Sequence, residues 1–355
     1  MIRSLSIAFF FFVVLVSAGV ALWGWQGLQS LEQPAGPEQP VLFNVEPGRA
    51  FVQVARQLER DGLIANANWL RLHGRLFPDD TRIRAGEYEF TPGMSAREML
   101  DMMLAGRTKL WSIQFIEGRR FVDMREALGA HERLRQVTTD MTDAEIMAAL
   151  GMPDQHPEGW FFPDTYLFNS QETDLDILRR ALQRMQLVLA EEWENRAEGL
   201  PYESPYEALI MASIVERETG APHERADVAG VFVRRLQIGM RLQTDPTVIY
   251  GMGDTYRGRI TRRDLQTHTP YNTYRIPGLT PTPIAMPGRE AIHAALNPAD
   301  GDTLYFVARG DGTHQFSRTL AEHNAAVRRY QLNRRSDYRS WPAPAANQAQ
   351  EESAQ

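Results

Sequence analysis

The sequence predicts an α+β protein in three parts: an N-terminal transmembrane helix, a small α+β domain and a larger mixed α/β domain rich in helices. Three observations predict it. An uncharged apolar run extends from Leu5 to Trp25. Between Val41 and about Ala130, short strand-like segments, Gly turns and amphipathic stretches alternate. From about Thr139 helical stretches dominate to Thr219, followed by mixed helices, Pro/Gly-rich loops and one strand, Thr303 to Ala308.

The apolar run is long enough to cross a hydrocarbon core as a helix. Arg3 and the α-amine precede it, and no Lys or Arg follows until Arg49. The positive-inside bias then leaves the N-terminus cytoplasmic and the rest outside. Residues 1–25 thus read as cytoplasmic N-terminus and anchor, with Trp23 and Trp25 at the outer interface. Val16, Ser17 and Ala18 form a tolerable cleavage site, which is the rival reading of a removed signal peptide. Apolar residues continue past that site, which favours the anchor. Residues 26–40 are polar and Pro-rich and read as an extended spacer. Residues 336–355 lack apolar periodicity and read as disordered.

The small domain, 41–130, repeats a strand, a Gly turn and a helix. The copies are Leu42 to Val45, then Gly48, then Phe51 to Leu58; Tyr88 to Phe90, then Gly93, then a helix to Leu104; and Ile113 to Ile116, then Gly118, then Phe121 to Leu128. Ser95 and Glu98 form a capping box, which satisfies free N–H groups of a first turn. Met99, Met102 and Met103 follow helical spacing and read as core.

The larger domain, 131–335, holds the best-defined helix, Ser204 to Thr219, and a last helix from about Leu320 to Leu332. In the former, Ser204 caps, Pro205 takes the first helical position and Glu207 completes a capping box. Gly220 and Pro222 end it. Ala208 to Val215 are apolar nearly all round the cylinder, so the helix belongs inside a domain. Its last turn nevertheless carries Glu216, Arg217 and Glu218. Glu218 lies on the stripe of Met211 and Ile214, at the negative end of the helix dipole; both features raise a carboxyl pKa, as a general acid requires. The equal alternative is that Glu216 and Glu218 merely pair with Arg217 and Arg225.

Composition excludes several classes. A formal charge of −7 does not suit a nucleic-acid binder. With no cysteine, thiolate nucleophiles, disulfides and Cys-based zinc sites are excluded. The eight histidines show no metal-ligand spacing, so neither metal nor cofactor is expected.

The stretch MASIVERET, Met211 to Thr219, resembles the signature of the YceG-like endolytic murein transglycosylases. So do Glu158 to Tyr166, Val228 to Phe232, Met240 to Gly251, Tyr271 to Tyr274 with Gly278 and Leu279, Leu304 to Ala308, and Gly312, His314, Phe316 and Glu322 to Asn324. Thr280 and Thr282 stand where that family commonly has proline and glycine. The small domain resembles the LysM-like domain that precedes the catalytic domain in this family. Asn44 to Gly48, running into Val54 to Leu58, carry that partial match.

The resemblance implies an enzyme, a lytic transglycosylase that cuts the β-1,4 bond between N-acetylmuramic acid and N-acetylglucosamine and leaves 1,6-anhydro ends. It implies Glu218 as the catalytic acid/base. Gln243 and Asp245 are expected on one cleft wall, with loop capping as the alternative; Tyr271 and Asn272 with Tyr274 form another wall or, equally, pack within their loop. Asp164 could just as well cap a helix and is not counted as a second catalytic acid. The arginines Arg234, Arg235 and Arg241 read as a solvated face in preference to contacts with peptide-stem carboxylates. Expected partners are peptidoglycan glycan strands, neighbouring peptidoglycan synthases and, through the N-terminal helix, a membrane. The expected location is the inner membrane, single-pass, with a periplasmic catalytic domain ending nascent strands. A non-catalytic wall-binding scaffold and a hydrolytic muramidase are the rival functions.

Overall fold

The computed structural model describes residues 2–332, so the expected tail at 336–355 lies outside the described residues. The chain forms two compact units. One is Met1–Trp111 with Arg133–Arg135 and Leu167–Glu172; the other is Ser112–Glu132, Gln136–Tyr166 and Thr173–Gln355.

In the smaller unit α1 (Ile2–Gln29) is the one described helix long and apolar enough to cross a membrane. Phe9 to Phe12, Leu15, Trp23 and Trp25 on it are exposed. The expected extended spacer at 26–40 is corrected. The helix continues to Gln29, a 3₁₀ turn covers Ser30–Glu32, and Leu31 is buried in the core. Leu31 has apolar partners in the folded unit, so burial overrides the polar character of its neighbours. Strand β1 (Val41–Val45) buries Phe43 and Val45 and exposes Leu42 and Asn44, the period-2 pattern of a half-buried strand. Helices α2 (Phe51–Arg60) and α3 (Ala67–Leu76) follow; α3 was not foreseen. β2 (Gly86–Phe90) pairs antiparallel with β1, with Val41 opposite Phe90 and Val45 opposite Gly86. α4 (Ala96–Ala105) starts at the predicted capping box, Glu98 N–H donating to Ser95 Oγ at 3.1 Å. Met99 and Met103 are fully buried and Met102 packs beside them.

β3 (Trp111–Gln114) precedes α5 (Phe121–Gly129). The boundary expected at 130 falls at 111 instead. α5 belongs to the larger unit, where Phe121 stacks on Phe161 at 4.9 Å. There follow α6 (Asp143–Ala149), β4 (Thr165–Phe168) paired with β3, and the long α7 (Asp174–Glu194). Asp164 precedes a strand, not a helix, and accepts the Thr165 N–H, so the cap expected there is corrected.

α8 (Pro205–Glu218) is the axis of the larger unit. α7, α9 (Arg225–Gln237), α10 (Asp245–Met252) and, most extensively, α12 (Arg289–Leu296) pack on it; α11 (Arg262–Gln266) lies in the loop region between the last two. Ala208 to Glu216 are all buried, as the apolar pattern requires. Glu207 N–H donates to Ser204 Oγ, but the Glu207 carboxylate accepts from Glu203 N–H, so the predicted capping box closes one residue early. The helix stops at Thr219 in extended conformation, ahead of Gly220. β5 (Tyr305–Ala308) and β6 (His314–Ser317) form an antiparallel pair, and α13 (Leu320–Val327) packs on both before a π-helical turn at Arg328–Leu332.

Candidate active site

The C-terminus of α8 delivers Glu218 to a cleft of about 580 Å³. Its walls come from three places. The loop before α10 brings Leu242, Gln243 and Asp245; the loop after α11 brings Tyr274; the β5–β6 pair with α13 brings Tyr305, Phe306, His314 and His323. Glu218 is partly buried, and Thr244 Oγ1 donates to its Oε2 at 3.1 Å. Burial pushes its pKa up to about 7, and the negative charge of Asp245 pushes the same way. The Thr244 hydrogen bond and the Arg235 charge oppose the rise.

The ion-pair alternative for this turn does not form at Glu218. Arg217 donates to Gly118 O at 3.0 Å, and Arg225 meets Glu290 at 3.6 Å. Glu216 accepts Gly288 N–H at 3.2 Å, and its burial raises its pKa. Burial also pushes the Glu158 carboxyl up to about 7, outweighing the bonds it accepts. It is 3% exposed, with its oxygens taken by Phe121 N–H at 2.9 Å and Tyr250 OH at 3.1 Å. Glu158 is sealed, so Glu218 is the carboxyl with both a raised pKa and an open cleft.

The loop before α10 is held under strain. Gln243 has φ +52°, the only positive φ on a non-glycine residue among those described. That conformation costs of order 1 kcal/mol and persists only where surrounding bonds fix it. Here Gln243 N–H donates to Thr273 O at 3.2 Å and Thr244 N–H to Thr273 Oγ1 at 3.1 Å. The buried hydroxyls of Thr247 and Thr273 meet at 2.9 Å. Asp245 opens α10 and accepts from Tyr274 OH at 2.7 Å.

The five residues singled out from sequence therefore separate. Glu218, Gln243 and Asp245 share the cleft. Tyr271 lies against Tyr250, with ring centroids 4.9 Å apart, and its hydroxyl meets Thr282 Oγ1 at 2.9 Å. Thr280 Oγ1 in turn donates to Thr282 O, so the two threonines brace their loop with hydroxyls. Asn272 is 1% exposed. Its amide donates to the carbonyls of Asp264, Leu265 and Thr267, and its oxygen accepts Tyr274 N–H. Asn272 shapes the loop that presents Tyr274 and is not on the cleft surface. Of the three arginines only Arg241 is exposed, donating to Tyr274 O at 3.2 Å, and the other two are not a solvated face. Arg235 is 7% exposed and donates to Leu304 O, Arg241 O and Leu242 O; Arg234 donates to Ala299 O and Thr303. Each gathers carbonyls that would otherwise lack donors.

Tyr305, His314 and His323 line the cleft as well, without a sequence pattern that places them beside Glu218. Arg235 lies over the Tyr305 ring at 5.2 Å, and Tyr305 stacks on His323 at 5.2 Å. Buried Glu224 accepts His314 N–H at 2.9 Å and holds its Nδ1 at 2.8 Å, which fixes the ring. A motif spanning Tyr305 to His323 was visible, but its closeness to Glu218 is a long-range property.

Several known proteins are similar to this chain. An endolytic murein transglycosylase of Bacillus subtilis is 30% identical over 89% of this chain and 91% of its own. One of Streptococcus pneumoniae is 25% identical over 92% of this chain, which spans 65% of that longer protein. The crystal structure of a YceG-like protein from Listeria monocytogenes superposes with a TM-score of 0.53 at 29% identity, covering 81% of this chain and 99% of that one. The YceG-like family model matches residues 43–329, and the chain belongs to the YceG-like family.

Proposed function

We propose that this protein is a membrane-anchored lytic transglycosylase of peptidoglycan, with Glu218 as its acid/base. The observation that carries the reading is a carboxyl whose pKa is pushed up to about 7 in an open cleft. The relatives named endolytic murein transglycosylases support the reaction class. Protonated Glu218 gives its proton to the glycosidic oxygen between N-acetylmuramic acid and N-acetylglucosamine as the C1–O bond breaks. The resulting carboxylate takes the proton from the C6 hydroxyl, and O6 closes on C1. One bond forms, one breaks, the proton returns to Glu218 and no water is consumed. One carboxyl suffices, because it alternates between acid and base.

Asp245 favours a second reading, since inverting and retaining hydrolases use two carboxylates. It shares the cleft and acts electrostatically on Glu218. Product analysis decides between the two. Uncrosslinked glycan strands are incubated with wild type and Glu218→Gln, and the new ends are identified by mass spectrometry. Anhydro ends from wild type, lost in a folded Glu218→Gln protein, are expected; reducing ends would mean a hydrolase. The apolar α1 supports an anchor, and the charge asymmetry at Arg3 supports a cytoplasmic N-terminus with the larger unit outside. In that orientation the enzyme meets newly made strands, beside their synthases, and ends their growth.

A further inference from the structure

The segment between α1 and the small unit carries no slack. Gly27 lies flat against the Trp69 indole, where a Cβ at residue 27 would come within 2.3 Å of ring carbons. Trp23, one turn earlier, meets the same indole with ring centroids 4.6 Å apart. Leu31 is buried in the unit's core. Pro34 forms a β-bridge with Ser95, and Ala35 N–H donates to Met94 O at 3.1 Å. Gly36 presses on the backbone of Thr91 and Met94. The chain from Trp23 to Gly36 is therefore fastened to the unit along its length.

Helix geometry turns these contacts into depth. The run from Leu5 to Trp25 rises about 31 Å at 1.5 Å per residue, which matches a hydrocarbon core of about 30 Å. Trp25 then marks the outer apolar boundary. Leu31 stands only about 9 Å above it, and the headgroup layer is about 5–7 Å thick on each side. Trp69, in ring contact with Trp23, shares the depth of Trp23. A water gap between unit and lipid does not fit these distances.

We infer that the small unit docks on the outer face of the bilayer, with Trp69 in the interfacial layer beside Trp23 and Trp25 and its face of α3 against lipid headgroups. Tryptophan suits that layer, having an apolar ring and a polar N–H. Leu72 and Leu76 follow Trp69 on the same helix face, and Leu76 is 55% exposed. The inference rests on the reading of α1 as membrane-spanning. Docking would hold the chain at a fixed height rather than on a tether.

The chain contains no cysteine, so single labels can be placed without background. Full-length Trp25→Cys and Leu72→Cys proteins would each carry an environment-sensitive fluorophore in vesicles of phosphatidylcholine and phosphatidylglycerol. Quenching is read with lipids bearing a nitroxide at headgroup level. The expected result is a loss of fluorescence at position 72 comparable with that at position 25. Quenching at 25 without quenching at 72 would overturn docking while leaving the anchor intact. No quenching at 25 would overturn the spanning helix itself, and docking with it.

Discussion

Glu218 and Asp245 illustrate how one charge sets the working range of another. The Asp245 carboxylate raises the pKa of Glu218 by making a second negative charge in the cleft unfavourable. Asp245→Asn removes that charge, so the pKa of Glu218 falls. The alkaline limb of kcat/KM, where the acid loses its proton, moves to lower pH. A pH profile of strand cleavage by the two proteins checks this, and an unmoved limb would exclude the coupling. Gln243 offers a second test, because its φ of +52° is one that glycine adopts freely. Gln243→Gly relieves strain while loosening the unfolded chain, so stability stays within about 1 kcal/mol of wild type. Cleavage should still fall if the side chain grips sugar; calorimetry beside the product assay separates the two effects. That Glu218 ends a buried helix was legible because the signals are local: a capped, all-round apolar helix closing on a carboxylate. The strain at Gln243 was not, since Gln-Thr-Asp-Pro has no residue that announces a positive φ.

At the scale of elements, α8 and α10 meet the site at their ends, and buried polar groups fix their placing. Glu158 joins the first turn of α5 to Tyr250 on α10. Its burial holds the folded-state pKa near 7, above the ordinary value of 4.5. For a carboxyl shifted upward, the folded state binds the extra proton. Its contribution is full below about pH 4.5, declines as pH rises to about 7 and is constant beyond. The wild type should lose up to about 3 kcal/mol across that window from this group, whereas Glu158→Gln should not. Thermal unfolding of both proteins at pH 5 and pH 8 measures the difference, and parallel Tm changes would refute it. The strands and helices around Gly turns were readable because capping and period-2 burial are short-range. The sequence at Arg234 and Arg235 could not reveal that Arg235 is buried and Arg234 half-buried. Their carbonyl partners at Ala299, Thr303 and Leu304 lie more than sixty residues onward. Likewise, Asn272 reads like a sugar-binding amide until the three carbonyls it satisfies are in place.

At the scale of the molecule, the misread spacer matters most. A polar, Pro-rich stretch at 26–40 reads as a tether, yet Leu31, Pro34 and Ala35 find partners on a unit whose strand and helix lie some sixty residues away. Under the proposed function, anchoring acts through concentration rather than through the chemistry proposed for Glu218. A chain shortened to begin at Trp23 keeps the Trp23–Trp69 contact, Gly27 and Leu31 and should fold. It should cleave isolated, uncrosslinked strands with the full-length kcat/KM. Strands still held in vesicles by their lipid anchor are a different substrate. Two partners confined to one surface meet at effective concentrations of order millimolar. Used at micromolar concentration, the shortened chain should cut such strands about 10³-fold more slowly than the full chain in the same vesicles. Equal rates on vesicle-held strands would mean that α1 does not confine the enzyme to its substrate. A matching loss on isolated strands would mean instead that the truncation damaged the fold.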